Sequence, residues 1–193
     1  MNSKSIRWCI ALMSVAFCGI ANAHPGHGGG LMAGITHPLF GLDHVLAMVA
    51  VGVWAFQLGG RAKWLVPASF VALMAVAGGV GMAGIGLPMV EIGIAASVLI
   101  LGLLVAFSVR VTPAIGAGIV ALFAIFHGHA HGAEMPLLGM GSAWQYAIGF
   151  VAATAALHGL GRALGKGLNK QGLVLRASGA VVAASGVWMM AGI

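Results

Sequence analysis

Apolar residues run along this chain in long stretches, at roughly 42 to 59, 64 to 83, 87 to 109, 112 to 127, 142 to 161 and 172 to 192. Each approaches the roughly 20 residues that a helix needs to cross the hydrocarbon core of a bilayer. The pattern predicts an all-α, polytopic membrane protein built as a bundle of six transmembrane helices. The fourth stretch is short, so its ends are expected to be broken or partly re-entrant. Ahead of the first lies a glycine- and histidine-rich opening, His24 to Gly30.

Residues 1 to 23 have a basic start (Lys4, Arg7), an apolar run from Trp8 to Ile20 and a small-x-small site, Ala21-Asn22-Ala23. They read as a cleaved secretory signal peptide, leaving residues 24 to 193 as a single transmembrane domain. The competing reading, a short first transmembrane helix, needs an apolar run of about 17 residues or more. Both cysteines, Cys9 and Cys18, fall within this segment. A metal site in the mature chain must therefore use imidazole, carboxylate, thioether or backbone ligands.

Composition supports the membrane reading, with 61% hydrophobic residues, 6% charged residues and a mean hydropathy of +1.06. A soluble domain carries about 25% charged residues. The net charge of +6 does not indicate a nucleic-acid partner, because there is no basic stripe and no aromatic interleaving. The 32 glycines fit close backbone approach between packed helices, since lipid supplies no hydrophobic drive for helix association.

Lys and Arg near helix ends mark the cytoplasmic side. With the mature N-terminus outside, Arg61 and Lys63, Arg110, and Arg162, Lys166, Lys170 and Arg176 all fall in cytoplasmic loops. Together with Lys4 and Arg7 these are all nine basic residues. The protein is thus expected in a bacterial inner membrane with its N-terminus in the periplasm. Histidines show the opposite bias: His24, His27, His37 and His44 gather at the outer end of the first helix. His127, His129 and His131 gather at the outer end of the fourth, and His158 alone sits near an inner end.

The three acids, Asp43, Glu91 and Glu134, are expected at the same outer depth, with no Lys or Arg there to pair them. A carboxylate inside a bilayer is costly, and a bound cation would supply the missing charge. In His37-Pro38-Leu39-Phe40-Gly41-Leu42-Asp43-His44, Pro38 and Gly41 interrupt regular helix. Were the segment helical, His37 and His44 would share a face and Asp43 would point about 100° from His44. That direction suits orientation of an imidazole, or ligation from a broken helix. Met48, one turn beyond His44, offers a thioether. In Phe126-His127-Gly128-His129-Ala130-His131-Gly132-Ala133-Glu134, the residues His127, His131 and Glu134 follow i, i+4, i+7 and form one stripe on a helix. The expected metal ligands are His37, Asp43, His44, His127, His131 and Glu134. His24, His27, Met48, Glu91, His129 and His158 stand as secondary or pathway residues.

Gly165-Lys166 resembles the end of an ATP-binding loop but continues with Gly167 rather than Ser or Thr, and it follows no strand. No ATPase partner is indicated. The opening His24-Pro25-Gly26-His27 suits a weak collecting site, because Pro25 removes one backbone nitrogen as a donor.

On these two motifs the chain resembles the HupE/UreJ family of bacterial nickel and cobalt permeases. Members carry HPxxGxDH in the first helix and FHGxAHGxE in the fourth, and both occur here in full, as His37 to His44 and Phe126 to Glu134. The resemblance also takes in the cleaved signal, the early acid Glu91 and the late His158, and so spans nearly the whole chain. It implies import of Ni2+, or of Co2+, as cargo for hydrogenase or urease, with no permanent cofactor and no catalysis. Homo-oligomers are compatible with it. The donor set alone also suits an intramembrane hydrolase, with histidines holding zinc and a carboxylate activating water. A periplasmic metal sensor or chaperone is less suited, since no soluble partner-binding domain is present. A transporter also needs polar groups in its inner half, where the sequence offers His158, Gln145 and Thr154.

Overall fold

The computed structural model describes residues 30–135 and 140–193, so the signal segment and His24 and His27 lie outside the described residues. The regular elements among the described residues are all helices, without strands: α1 (Leu31–Phe40), α2 (Leu42–Leu58), α3 (Ala62–Met82), α4 (Val90–Ala106), α5 (Pro113–Glu134), α6 (Met140–Gly167) and α7 (Gly172–Ala191).

Among the described residues seven helices thus stand where hydropathy predicts six. The extra one is α1, which meets α2 at 84°. Gly41 makes the break: its backbone is extended (φ −76°, ψ 109°) and its N–H still donates to the His37 carbonyl. Pro38 lies in the last turn before it and has no N–H to carry a helix onward. Among the described residues four helices are long and apolar enough to cross a membrane, or five if the bent pair α1 and α2 is one span. The remaining helix, α4, is apolar but only 17 residues long, about 26 Å against a core of about 30 Å. The chain is a multi-pass membrane protein.

The fourth stretch also differs from expectation. It neither breaks nor ends near 127, because α5 continues through the whole histidine motif to Glu134. It starts cleanly, with the Thr112 hydroxyl accepting from the Ile115 N–H and Pro113 at its first position. It persists because Gly128 and Gly132 lie against the backbone of α3. A Cβ on Gly128 would collide with the Met74 carbonyl, and one on Gly132 with the Gly78 carbonyl.

The most extensive pairings are α3 with α5 and α4 with α7, followed by α2 and α1 with α6. Glycines permit each: Gly102 and Gly179 between α4 and α7, Gly52 and Gly161 between α2 and α6, Gly34 and Gly149 between α1 and α6. Side chains tie off one end of the bundle. Trp54 Nε1 donates to the Val109 carbonyl, Gln57 Nε2 to that of Val105 and Arg176 Nε to that of Ala106, while the Arg162 guanidinium lies 3.7 Å over the Trp64 ring. This is the basic end. The opposite end carries the start of α2, the end of α5 and the described histidines other than His158. Among the largest fully buried side chains, beside Trp54, Phe70, Met48 and Leu101, are three histidines, His44, His127 and His158.

Candidate metal centre

The phase of α5 creates the site. Gly128 and Gly132 face α3, so the adjacent stripe of His127 and His131 turns toward α2 and α4. Close packing of Gly34 on the Tyr146 backbone fixes α1 on α6, and the break at Gly41 then lets α1 hang His37 over the end of α5 while α2 carries His44 inward.

The outermost donors form a triad. His37 Nε2 is 3.5 Å and His131 Nδ1 3.6 Å from Glu134 Oε2, and one ligand atom from each of the three lies within 4.8 Å of the others. The second nitrogen of His131, Nε2, is 3.2 Å from His44 Nδ1, which in turn is 3.2 Å from His127 Nδ1. His127 Nε2 ends the sequence on Ser97 Oγ at 2.8 Å. Ser97 already donates its proton to the Ile94 carbonyl at 2.6 Å, so it accepts from His127 Nε2–H. The Nδ1 lone pair of His127 is therefore turned toward His44.

These donors are strung from surface to core. The side chains of Glu134, His37 and His131 are 54%, 43% and 13% exposed, whereas His44 is 1% and His127 0% exposed. His44 Nε2 and His131 Nδ1 have no hydrogen-bond partner among the described residues. Aromatic rings wall the string: Phe150 is 5.0 Å from the His44 ring and 4.5 Å from that of His131, and Tyr146 stacks on Phe150 and edges against His37. Imidazole and carboxylate donors of this kind hold nickel, cobalt or zinc.

Asp43 is not brought to the triad. Its Oδ1 accepts the His44 N–H at 2.8 Å, at the start of α2. It and Glu91 line a separate cavity of about 530 Å³ with Ile94, Trp188, Met189 and Ile193. Met48 is fully buried in the apolar core. His129, on the far side of α5 from the string, donates from Nε2 to the Ile85 carbonyl at 2.6 Å and so fastens the turn between α3 and α4. His158 is buried deeper, its ring edge-on to Phe70 at 5.2 Å. Sequence reasoning missed Ser97, whose signal was a lone hydroxyl inside apolar α4, and it missed the ring walls Phe70, Tyr146 and Phe150, which carry none.

The chain is similar in sequence to known proteins. The family profile described as HupE / UreJ protein matches residues 11–189. Protein HupE of Rhizobium leguminosarum bv. viciae is 49% identical over 184 residues, 94% of this chain and 95% of that protein. No solved structure matches.

Proposed function

The chain belongs to the HupE/UreJ family, and from that premise we propose that it is an ATP-independent importer of a divalent transition-metal ion, nickel first and cobalt second, supplying hydrogenase or urease maturation. It works in the bacterial inner membrane with the histidine end facing the periplasm and the basic end the cytoplasm. The ion is cargo rather than a resident cofactor, and the protein is not an enzyme.

The observation that carries this reading is the graded burial of the string, from Glu134 and His37 at the surface through His131 to the fully buried His44 and His127. The carboxylate and two imidazoles at the mouth capture the cation. The His131 ring presents one nitrogen to Glu134 and the other to His44, so an ion can be handed inward without losing all its ligands at once. An intramembrane hydrolase would use a metal at the mouth and has no need of buried imidazoles behind it. The driving force is sufficient without ATP, since the membrane potential contributes about 2.3 kcal/mol per charge per 100 mV and a divalent ion gains twice that.

The direct test is uptake of radioactive nickel and cobalt at trace concentration by cells with and without the gene. Gene-dependent accumulation is the expected result, and equal accumulation in both strains would refute transport.

A further inference from the structure

Among the described residues two buried histidines lie outside the string, His129, which donates to the Ile85 carbonyl, and His158. His158 is 2% exposed, and neither ring nitrogen has a hydrogen-bond partner among the described residues. A buried imidazole without partners forfeits hydrogen bonds it would make in water, so its polarity calls for a ligand. Its neighbours provide a setting. Thr154 lies one turn before it on α6, and Phe70 and Met74 lie one turn apart on α3. The Thr154 hydroxyl donates to the Met74 sulfur at 3.7 Å and the His158 ring packs on Phe70, so the four meet as one buried group between α3 and α6.

The group continues the string. Tyr146, Phe150, Thr154 and His158 follow at intervals of four along α6, each step advancing about 6 Å toward the basic end. Tyr146 stands at the level of His37 and Phe150 at that of His44 and His131. His158 therefore lies about 12 Å beyond the string's upper rungs. The Phe70 ring links the two levels, 5.9 Å from the His127 ring on one side and 5.2 Å from His158 on the other. A cavity of about 520 Å³ runs beside them from His131 to Met74 and Ala155, leaving both the His131 ring and the Met74 thioether room to re-orient.

We propose that His158, with the Thr154 hydroxyl and the Met74 thioether, is an inner relay site that receives the divalent ion from His127 and passes it toward the basic end. This rests on the transport reading above. All three donors are neutral, unlike the mouth with its Glu134 carboxylate. An ion is thus held weakly enough at the inner site to leave, as conduction through successive sites requires.

The test uses the full-length protein, titrated with Co2+ in detergent and reconstituted into vesicles for influx of radioactive nickel. His158→Leu preserves apolar packing and removes both nitrogens. His158→Cys keeps a donor in a small side chain. The relay predicts that both variants bind Co2+ at the mouth with wild-type affinity, that His158→Leu lowers influx about tenfold or more, and that His158→Cys transports clearly faster than His158→Leu. Wild-type influx in His158→Leu would overturn the relay and leave transport standing. Loss of Co2+ binding in both variants would also overturn it, by making His158 a support of the outer site. Equal defects in the Leu and Cys variants would show that packing and not a donor is needed. Absence of nickel influx in the wild type would remove the transport reading and the relay together.

Discussion

The Ser97 hydroxyl has one proton, and the Ile94 carbonyl takes it, so His127 meets an acceptor and must donate from Nε2. A single α4 side chain thereby decides which nitrogen of the deepest imidazole in the string is free to bind an ion. Outer partners of this sort typically tune metal affinity about 10- to 100-fold. Ser97→Ala leaves a buried N–H unpaired, at a cost of about 1–3 kcal/mol, and frees the ring to present the wrong tautomer. Nickel influx through this variant is expected to fall about tenfold while Co2+ binding at the exposed triad is retained. Unchanged influx would show that the Ser97 contact does not set the imidazole. His129 shows how spacing in the motif can mislead. It alternates with His127 and His131 in the sequence, yet two residues along a helix is about 200° of rotation, and it serves the turn at Ile85 instead. The i, i+4, i+7 stripe did make His127, His131 and Glu134 legible as neighbours. The Ser97 contact spans 30 residues and follows from how α4 packs on α5, which no local spacing records.

Among the elements, α5 carries the most consequence because its two faces do different work. Gly128 and Gly132 hold it against the carbonyls of α3, and that contact points the histidine stripe at α2. Gly118 lies in the same helix with open space around its Cβ position. Gly132→Ala is therefore expected to destabilise the protein by about 1–3 kcal/mol through overpacking, and Gly118→Ala to leave stability unchanged or raise it by up to about 1 kcal/mol. Thermal unfolding midpoints in detergent check this, and equal midpoints for the two variants would mean that the α3–α5 contact does not depend on small residues. Hydropathy locates α2 to α7 but stops the fourth segment near 127, because His, Gly and Glu lower its average exactly where backbone packing, invisible to hydropathy, keeps the helix going. It passes over α1 for a related reason. Ten residues interrupted by Gly34 and Pro38 are too short to read as a span, yet they pack on α6 through Gly34 and Gly149. Asp43 was legible as an acid near His44 but not as a residue sharing a cavity with Glu91, since the end of α7 completes the lining of that cavity.

At the scale of the whole molecule the two ends of the bundle carry charge of opposite sign. The basic residues Arg61, Lys63, Arg162, Lys166 and Arg176 border one end and the acids Asp43, Glu91 and Glu134 the other. If the basic end is cytoplasmic, a reporter active only in the periplasm and fused after Ile193 is expected to be on, and a cytoplasmic readout there would reverse the orientation. In that orientation the exposed mouth of the donor string would face outside, and under the proposed transport reading the inside-negative potential would draw a captured cation along it. The central claim is that this potential moves nickel through the protein without ATP. The measurement that reaches it most directly is radioactive nickel influx into vesicles containing only the purified protein, under an imposed inside-negative potential. The account predicts influx above that of protein-free vesicles, rising with the potential and abolished by His131→Ala. Influx equal to that of protein-free vesicles at every potential would contradict it.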